Sequence, residues 1–253
     1  MMNRISDTVK HLIIINVIMF IGTMIVGGGT VFYDWFALHF PKNDAFQPWQ
    51  IFTHMFMHGG FMHIGFNMLA LWMFGTPVEQ QFGGKKFLFF YLSSGLGAAL
   101  LMLGYYYYQY ASGMSALEGA GFSSSETLET LRSGYAMYDT RWSQVLDGDQ
   151  LGKFVSVFNG TMVGASGAIM GVLVAFGMLY PESKLMMIFL PIPIKAKYFI
   201  PGIIALDLIS AITGQSFFSP NNTAYVAHVG GALTGFLIMW YWKKTQFNKN
   251  RWD

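Results

Sequence analysis

The chain has 253 residues, of which 53% are hydrophobic and only 11% charged, where a soluble domain carries about 25% charged residues. That shortfall argues for a membrane protein, and the length fits one domain spanning 1–253. A net charge of +2 is too small to suggest nucleic acid, and the absence of cysteine excludes disulfides and thiolate metal sites.

Six apolar stretches approach the roughly 20 residues that cross a bilayer as a helix. They are residues 12–26, 61–78, 87–108, 161–180, 198–213 and 224–242. No signal-peptide cleavage pattern precedes the first, which is read as retained. A further apolar run, 185–194, is short and carries Pro191 and Pro193, so it reads as a cytoplasmic connection. Basic residues set the orientation. With the N-terminus inside, the inner set is Arg4, Lys10, Lys85, Lys86, Lys184, Lys195, Lys197, Lys243, Lys244, Lys249 and Arg251. The outer set is Lys42, Arg132, Arg141 and Lys153. The expected architecture is therefore an all-α polytopic membrane protein with six spans and both termini in the cytoplasm.

Two connections are long, and both fall outside. Residues 31–60 are rich in aromatics and histidine, and residues 109–158 form an insertion between spans three and four. Within the insertion, Ser125 and Glu126 look like a helix start. Leu128, Leu131, Tyr135, Tyr138, Trp142 and Val145 then fall at helical spacing, which predicts one amphipathic helix.

Span four carries Gly164-Ala165-Ser166-Gly167, with Gly171 one turn further on. Span six carries Ala227-His228, followed by Gly231 and Gly235. Both spans run from outside to inside, so Ser166, one to two turns in, and His228, about one turn in, match in depth. Ionisable groups inside a membrane point to function. G-x-x-x-G faces on both helices allow the close approach that brings a serine hydroxyl to an imidazole. Gly231 should share the face of His228, whereas Gly230, about 100° away, should point elsewhere and tolerate alanine better. His63 and Asn67, four residues apart on span two, share one face near the same depth. With the backbone N–H of Ser166 they can donate to a developing oxyanion. His54 and His58 have metal-like i, i+4 spacing, but no carboxylate cluster or H-E-x-x-H accompanies them, so no metal is expected. Asp207 follows the Ser–Asp–His order of a soluble hydrolase triad. That fold wants a second glycine two residues after the serine, where Ala168 stands, so Asp207 reads as packing span five or bonding locally.

The segment from Trp49 to Asn67, the Gly164-Ala165-Ser166-Gly167 motif and Ala227-His228 with Gly231 and Gly235 resemble rhomboid intramembrane serine proteases. The match covers nearly the whole chain except the 109–158 insertion. The resemblance implies a six-transmembrane-helix bundle in which Ser166 is the nucleophile and His228 the base of a dyad without an acid. It also implies an oxyanion hole of His63, Asn67 and the Ser166 backbone N–H. It further implies no cofactor, substrates that are transmembrane protein segments in the lipid bilayer, and cleavage near the outer face at small and helix-destabilising residues. A bacterial cytoplasmic membrane is the expected location. Two positions depart from the common pattern: Gln50 stands where arginine is frequent, and Met170 where an aromatic often stacks on the base. The alternative is a non-enzymatic rhomboid-like protein that binds transmembrane clients, which loss of Ser166 or His228 would have favoured. Paired membrane charges and duplicated broken helices, the marks of a transporter, are absent.

Overall fold

A computed structural model describes residues 4–187, 190–213 and 225–247. Ala224, Lys249 and Arg251, used above for span six and for orientation, lie outside the described residues. Helix α1 (Asp7–Ile25) opens the bundle and leads through a 3-10 turn into the short α2 (Thr30–Phe36). The first long connection then holds strand β1 (Leu38–His39) and the single-turn α3 (Gln50–Thr53). Helix α4 (Phe61–Ala70) continues through a π turn, Leu71–Gly75, into α5 (Thr76–Phe82). Next come α6 (Gly84–Gly119), α7 (Ser124–Arg132), α8 (Gly148–Asn159), strand β2 (Thr161–Met162) and α9 (Ser166–Leu179). A hairpin of β3 (Lys184–Met187) and β4 (Leu190–Lys195) precedes α10 (Ala196–Thr213) and α11 (Tyr225–Trp242).

Helices overlap all six expected spans. Among the described residues, α1, α6 and α10 are long and apolar enough to cross a membrane by length and composition. Helix α9 is apolar all round and buried all round, with ten of its fourteen residues buried. It is the centre of the bundle, packed by α6, α10, α11 and the α4–α5 rod. At about 1.5 Å per residue it is only about 21 Å long, short of a hydrocarbon core of about 30 Å. Of the non-helical backbone before it, Gly164 and Ala165 are buried and residues 161–163 are half-buried.

Glycine sets how closely the central helices meet. A Cβ at Gly231 would overlap the Gly167 carbonyl, and one at Gly235 would lie 2.6 Å from Gly171 Cα. On its other side α11 meets α6: a Cβ at Gly230 would lie 2.8 Å from Gly97 O and 3.1 Å from Ala98 Cα. Gly230 thus points away from α9, as expected, but it faces α6, so an alanine there is also pressed, though less than at Gly231. At the opposite end, Glu79 accepts from the Thr8 and Val9 backbone N–H groups at 2.9 Å and caps α1 from a different helix.

Three boundaries differ from expectation. Span three does not stop at Tyr108; α6 runs on to Gly119, since nothing breaks the helix before the glycines around Ala120. Span four does not begin at Thr161; Thr161 and Met162 pair antiparallel with His39 and Leu38, and the helix starts at Ser166. The amphipathic run of the insertion is not one helix. It ends at Arg132, where Ser133 and Gly134 interrupt it and Ala136 takes a left-handed φ of 56°. Leu131 and Trp142 still reach one buried cluster, while Tyr135 is 85% exposed. The second half holds only a 3-10 turn, Thr140–Gln144, and α8 begins beyond the run, at a capping box between Asp147 and Gln150. In the connection at 185–194, Leu185 pairs with Ile194 and Met187 with Leu190 in an antiparallel pair of strands.

Candidate active site

Ser166 is the first residue of α9, and the first bond within that turn runs from Ile169 N–H to Ala165 O at 3.0 Å. The N–H groups of the opening turn therefore have no intrahelical acceptor and present partial positive charge. Ser166 thus opens its helix instead of lying one to two turns inside it. Gly164 makes the turn possible. Its φ is +124°, a left-handed value that disfavours other residues, and a Cβ there would lie 2.8 Å from His63 Nε2 and 3.6 Å from Ser166 Oγ. So the His63 imidazole and the Ser166 hydroxyl flank one point in space.

The first long connection holds this turn from the side. The Gly164 N–H donates to His54 O at 2.9 Å, and β1 pairs with β2 just before it. Gln50, fully buried, is the hub of that connection. Its amide nitrogen donates to Asp34 O and Ala45 O, both at 2.9 Å. Its oxygen accepts from the backbone N–H groups of Gln47 at 3.0 Å and His39 at 3.3 Å. An arginine has no acceptor and could not make the last two. The departure at Gln50 is therefore a neutral anchor with both ends satisfied. His54 donates from Nδ1 to Gln50 O at 3.0 Å, and burial pushes its pKa down to about 4. Burial, reinforced by neighbouring His63, brings His58 to about 3. Both stay uncharged at neutral pH. Among the described residues no three metal-ligating side chains cluster.

His63 and Asn67 lie on one face of α4, as their spacing requires. The Gly59 N–H donates to His63 Nδ1 at 3.3 Å, so a neutral His63 carries its proton on Nε2, the nitrogen that faces Gly164. Asn67 is 7% exposed, and its Nδ2 has no hydrogen-bond partner. A buried amide donor left unmade costs about 1–3 kcal/mol, so it calls for a partner that arrives later.

His228 stands one turn into α11, with the Ala227 carbonyl 3.7 Å from a Cβ built on Gly167. Its Nε2 is buried and has no partner, so Ser166 Oγ is not bonded to it in this state. Such contacts are often loose before substrate arrives. Its Nδ1 is 3.0 Å from Asp207 Oδ2 of α10. Asp207 therefore neither bonds locally nor merely packs its own helix. Met170, the second departure, is buried on α9.

Comparison with known proteins gives one consistent picture. Residues 45–125 and 143–245 match the family described as Rhomboid domain. Rhomboid protein 1, mitochondrial, of Saccharomyces cerevisiae is 27% identical over 189 residues, 75% of this chain and 40% of that protein. Presenilin-associated rhomboid-like protein, mitochondrial, of Homo sapiens is 27% identical over 243 residues, 94% of this chain and 49% of that protein. Rhomboid protease GlpG of Salmonella typhi is 38% identical over 80 residues, 32% of this chain and 29% of that protein. The chain spans less than half the length of each of these relatives.

Proposed function

The chain belongs to the rhomboid family and is an integral, multi-pass membrane protein, and on that premise we propose that it is an intramembrane serine endopeptidase. Ser166 is the nucleophile and His228 its base. Ser166 Oγ bonds to the scissile carbonyl carbon as its proton passes to His228 Nε2. The oxyanion that forms is met by the Ser166 N–H, His63 Nε2–H and Asn67 Nδ2–H. The C–N bond then breaks as the Nε2 proton goes to the leaving nitrogen, and water hydrolyses the acyl-enzyme in the same way. Substrates are transmembrane segments of proteins in the bilayer, opened near the outer face.

One observation carries this reading. His228 Nε2 and Asn67 Nδ2 are among the buried polar atoms without partners in the described residues, and both sit on helices that pack against α9, the helix that Ser166 opens. The printed name of the Salmonella relative, a rhomboid protease, points the same way.

The test uses the purified chain in liposomes with a model single-span substrate. Wild type should release product, and Ser166→Ala should not; equal turnover would leave the non-enzymatic client-binding reading in its place. We also infer that both termini face the cytoplasm, that the location is a bacterial cytoplasmic membrane, and that 109–158 forms an outer insertion of a single domain. The described basic residues support this, nine at the end away from Ser166 and four at its end. The two mitochondrial relatives set the alternative location. In intact cells an impermeant maleimide should label Ser124→Cys and spare Lys85→Cys; the reverse pattern would invert the topology.

A further inference from the structure

We propose that Asp207 is the positioning residue of His228, fixing the tautomer and ring orientation that leave Nε2 free to take the Ser166 proton. The proposal deepens the protease reading and rests on it.

Asp207 sits on the helix least able to tolerate it. Helix α10 buries four of its eighteen residues, and Leu208, Ile209 and Ile212 beside it are exposed. The Asp207 side chain is nevertheless only 8% exposed. A carboxyl group at such a place requires a partner, and the one it has is His228 Nδ1 at 3.0 Å. A carboxylate only accepts, so Nδ1 is the protonated nitrogen and Nε2 keeps its lone pair. An unpaired neutral imidazole divides between two tautomers, and in one of them Nε2 carries hydrogen and cannot act as a base. When Nε2 takes the serine proton, the imidazolium keeps its Nδ1–H bond to Asp207, whose charge opposes it. Asp207 itself gains no proton. Among the described residues Nε2 has no hydrogen-bond partner, so the ring is held at Nδ1 by Asp207.

A competing account makes the contact a clip that only holds α10 against α11. The two differ in kinetics and in spectrum. In soluble triads the Asp→Asn change costs about 10⁴ in kcat. With a part-exposed imidazole, Asp207→Asn should lose at least about 10²-fold in kcat, with KM within about twofold and thermal stability retained. A rise in KM at unchanged kcat, or an unchanged kcat in a folded variant, overturns the proposal. A second measurement needs no variant at Asp207. In the full chain with ¹⁵N-histidine, nitrogen shifts report which ring nitrogen carries the proton. His228, identified by the signal lost in His228→Ala, should be protonated at Nδ1; protonation at Nε2 overturns the proposal even if Asp207→Asn fails to fold. Should wild type prove no more active than Ser166→Ala, the protease reading falls on its own, and the tautomer still decides the Asp207 pairing.

Discussion

Helices α9 and α10 both bear on His228, yet they are held in opposite ways. Helix α9 is enclosed on every side and meets α11 backbone to backbone through Gly167, Gly171, Gly231 and Gly235. Helix α10 exposes most of its surface and meets the imidazole through one carboxylate. The distance from Ser166 to His228 is thus set by contacts with no side-chain slack, whereas the Asp207 contact hangs on a single polar pair. Substitutions on the first helix pair should fail through geometry, and those on α10 should fail only at Asp207.

The largest effect should come from forcing the seam open. Gly231→Leu has no space before the Gly167 carbonyl, so it should abolish substrate cleavage. Displacement by about 1 Å can itself cost roughly 10²-fold in rate. Gly230→Ala, pressed by α6 instead, should lower thermal stability; full stability would mean α11 is wedged from one side only. Ile212→Ala on α10, where the side chain is 77% exposed, should leave turnover unchanged. If Ile212→Ala damages activity as much as Gly231→Leu, the contrast between the helices collapses.

The next effect sharpens the side facing the nucleophile. Gly164→Ala combines a strained backbone with a methyl group at 2.8 Å from His63 Nε2, and should cut kcat by about 10²-fold. Asn67→Ala should cost less, because two donors remain; one oxyanion donor is worth about 10²–10³ where the hole matters most. Turnover of Asn67→Ala equal to wild type would remove it from the site.

Four of the site positions were legible in the sequence because chemistry and spacing coincide there. Ser166 and His228 are polar groups in apolar runs beside glycine, and His63 and Asn67 share a face at i, i+4. Asp207 was visible as a residue but not as a partner. An apolar helix of even hydrophobicity carries no periodic signal of its rotation, so nothing in the sequence aimed its carboxylate at α11. The start of α9 was missed for a related reason: hydropathy continues from Thr161, while the break is made by strand pairing and the conformation of Gly164. In the insertion, apolar spacing survived the interruption at Ser133 and Gly134 and so suggested one long helix where α7 ends at Arg132 and only a 3-10 turn follows before α8. Asp147 and Gln150 carried the missing helix start in plain sight.

The smallest expected effect concerns the loop that steadies the nucleophile turn. His54 and His58 have folded pKa values of about 4 and 3, below the ordinary 6.5. As pH falls the unfolded chain takes up these protons first, so the stability they contribute is present above about 6.5 and is lost toward 4 and 3. Melting temperature should therefore decline from pH 7 to pH 4, and His54→Asn should flatten the upper part of that decline. An unaltered slope would mean His54 is not held neutral in the folded protein.

The most direct test of the account is covalent. A fluorophosphonate probe applied to the full chain in membranes, followed by peptide mapping, should place one adduct on Ser166, and His228→Ala should suppress it in a protein that still folds. An adduct on a different serine, or undiminished labelling of Ser166 in His228→Ala, would contradict the claim that these two side chains form the catalytic pair.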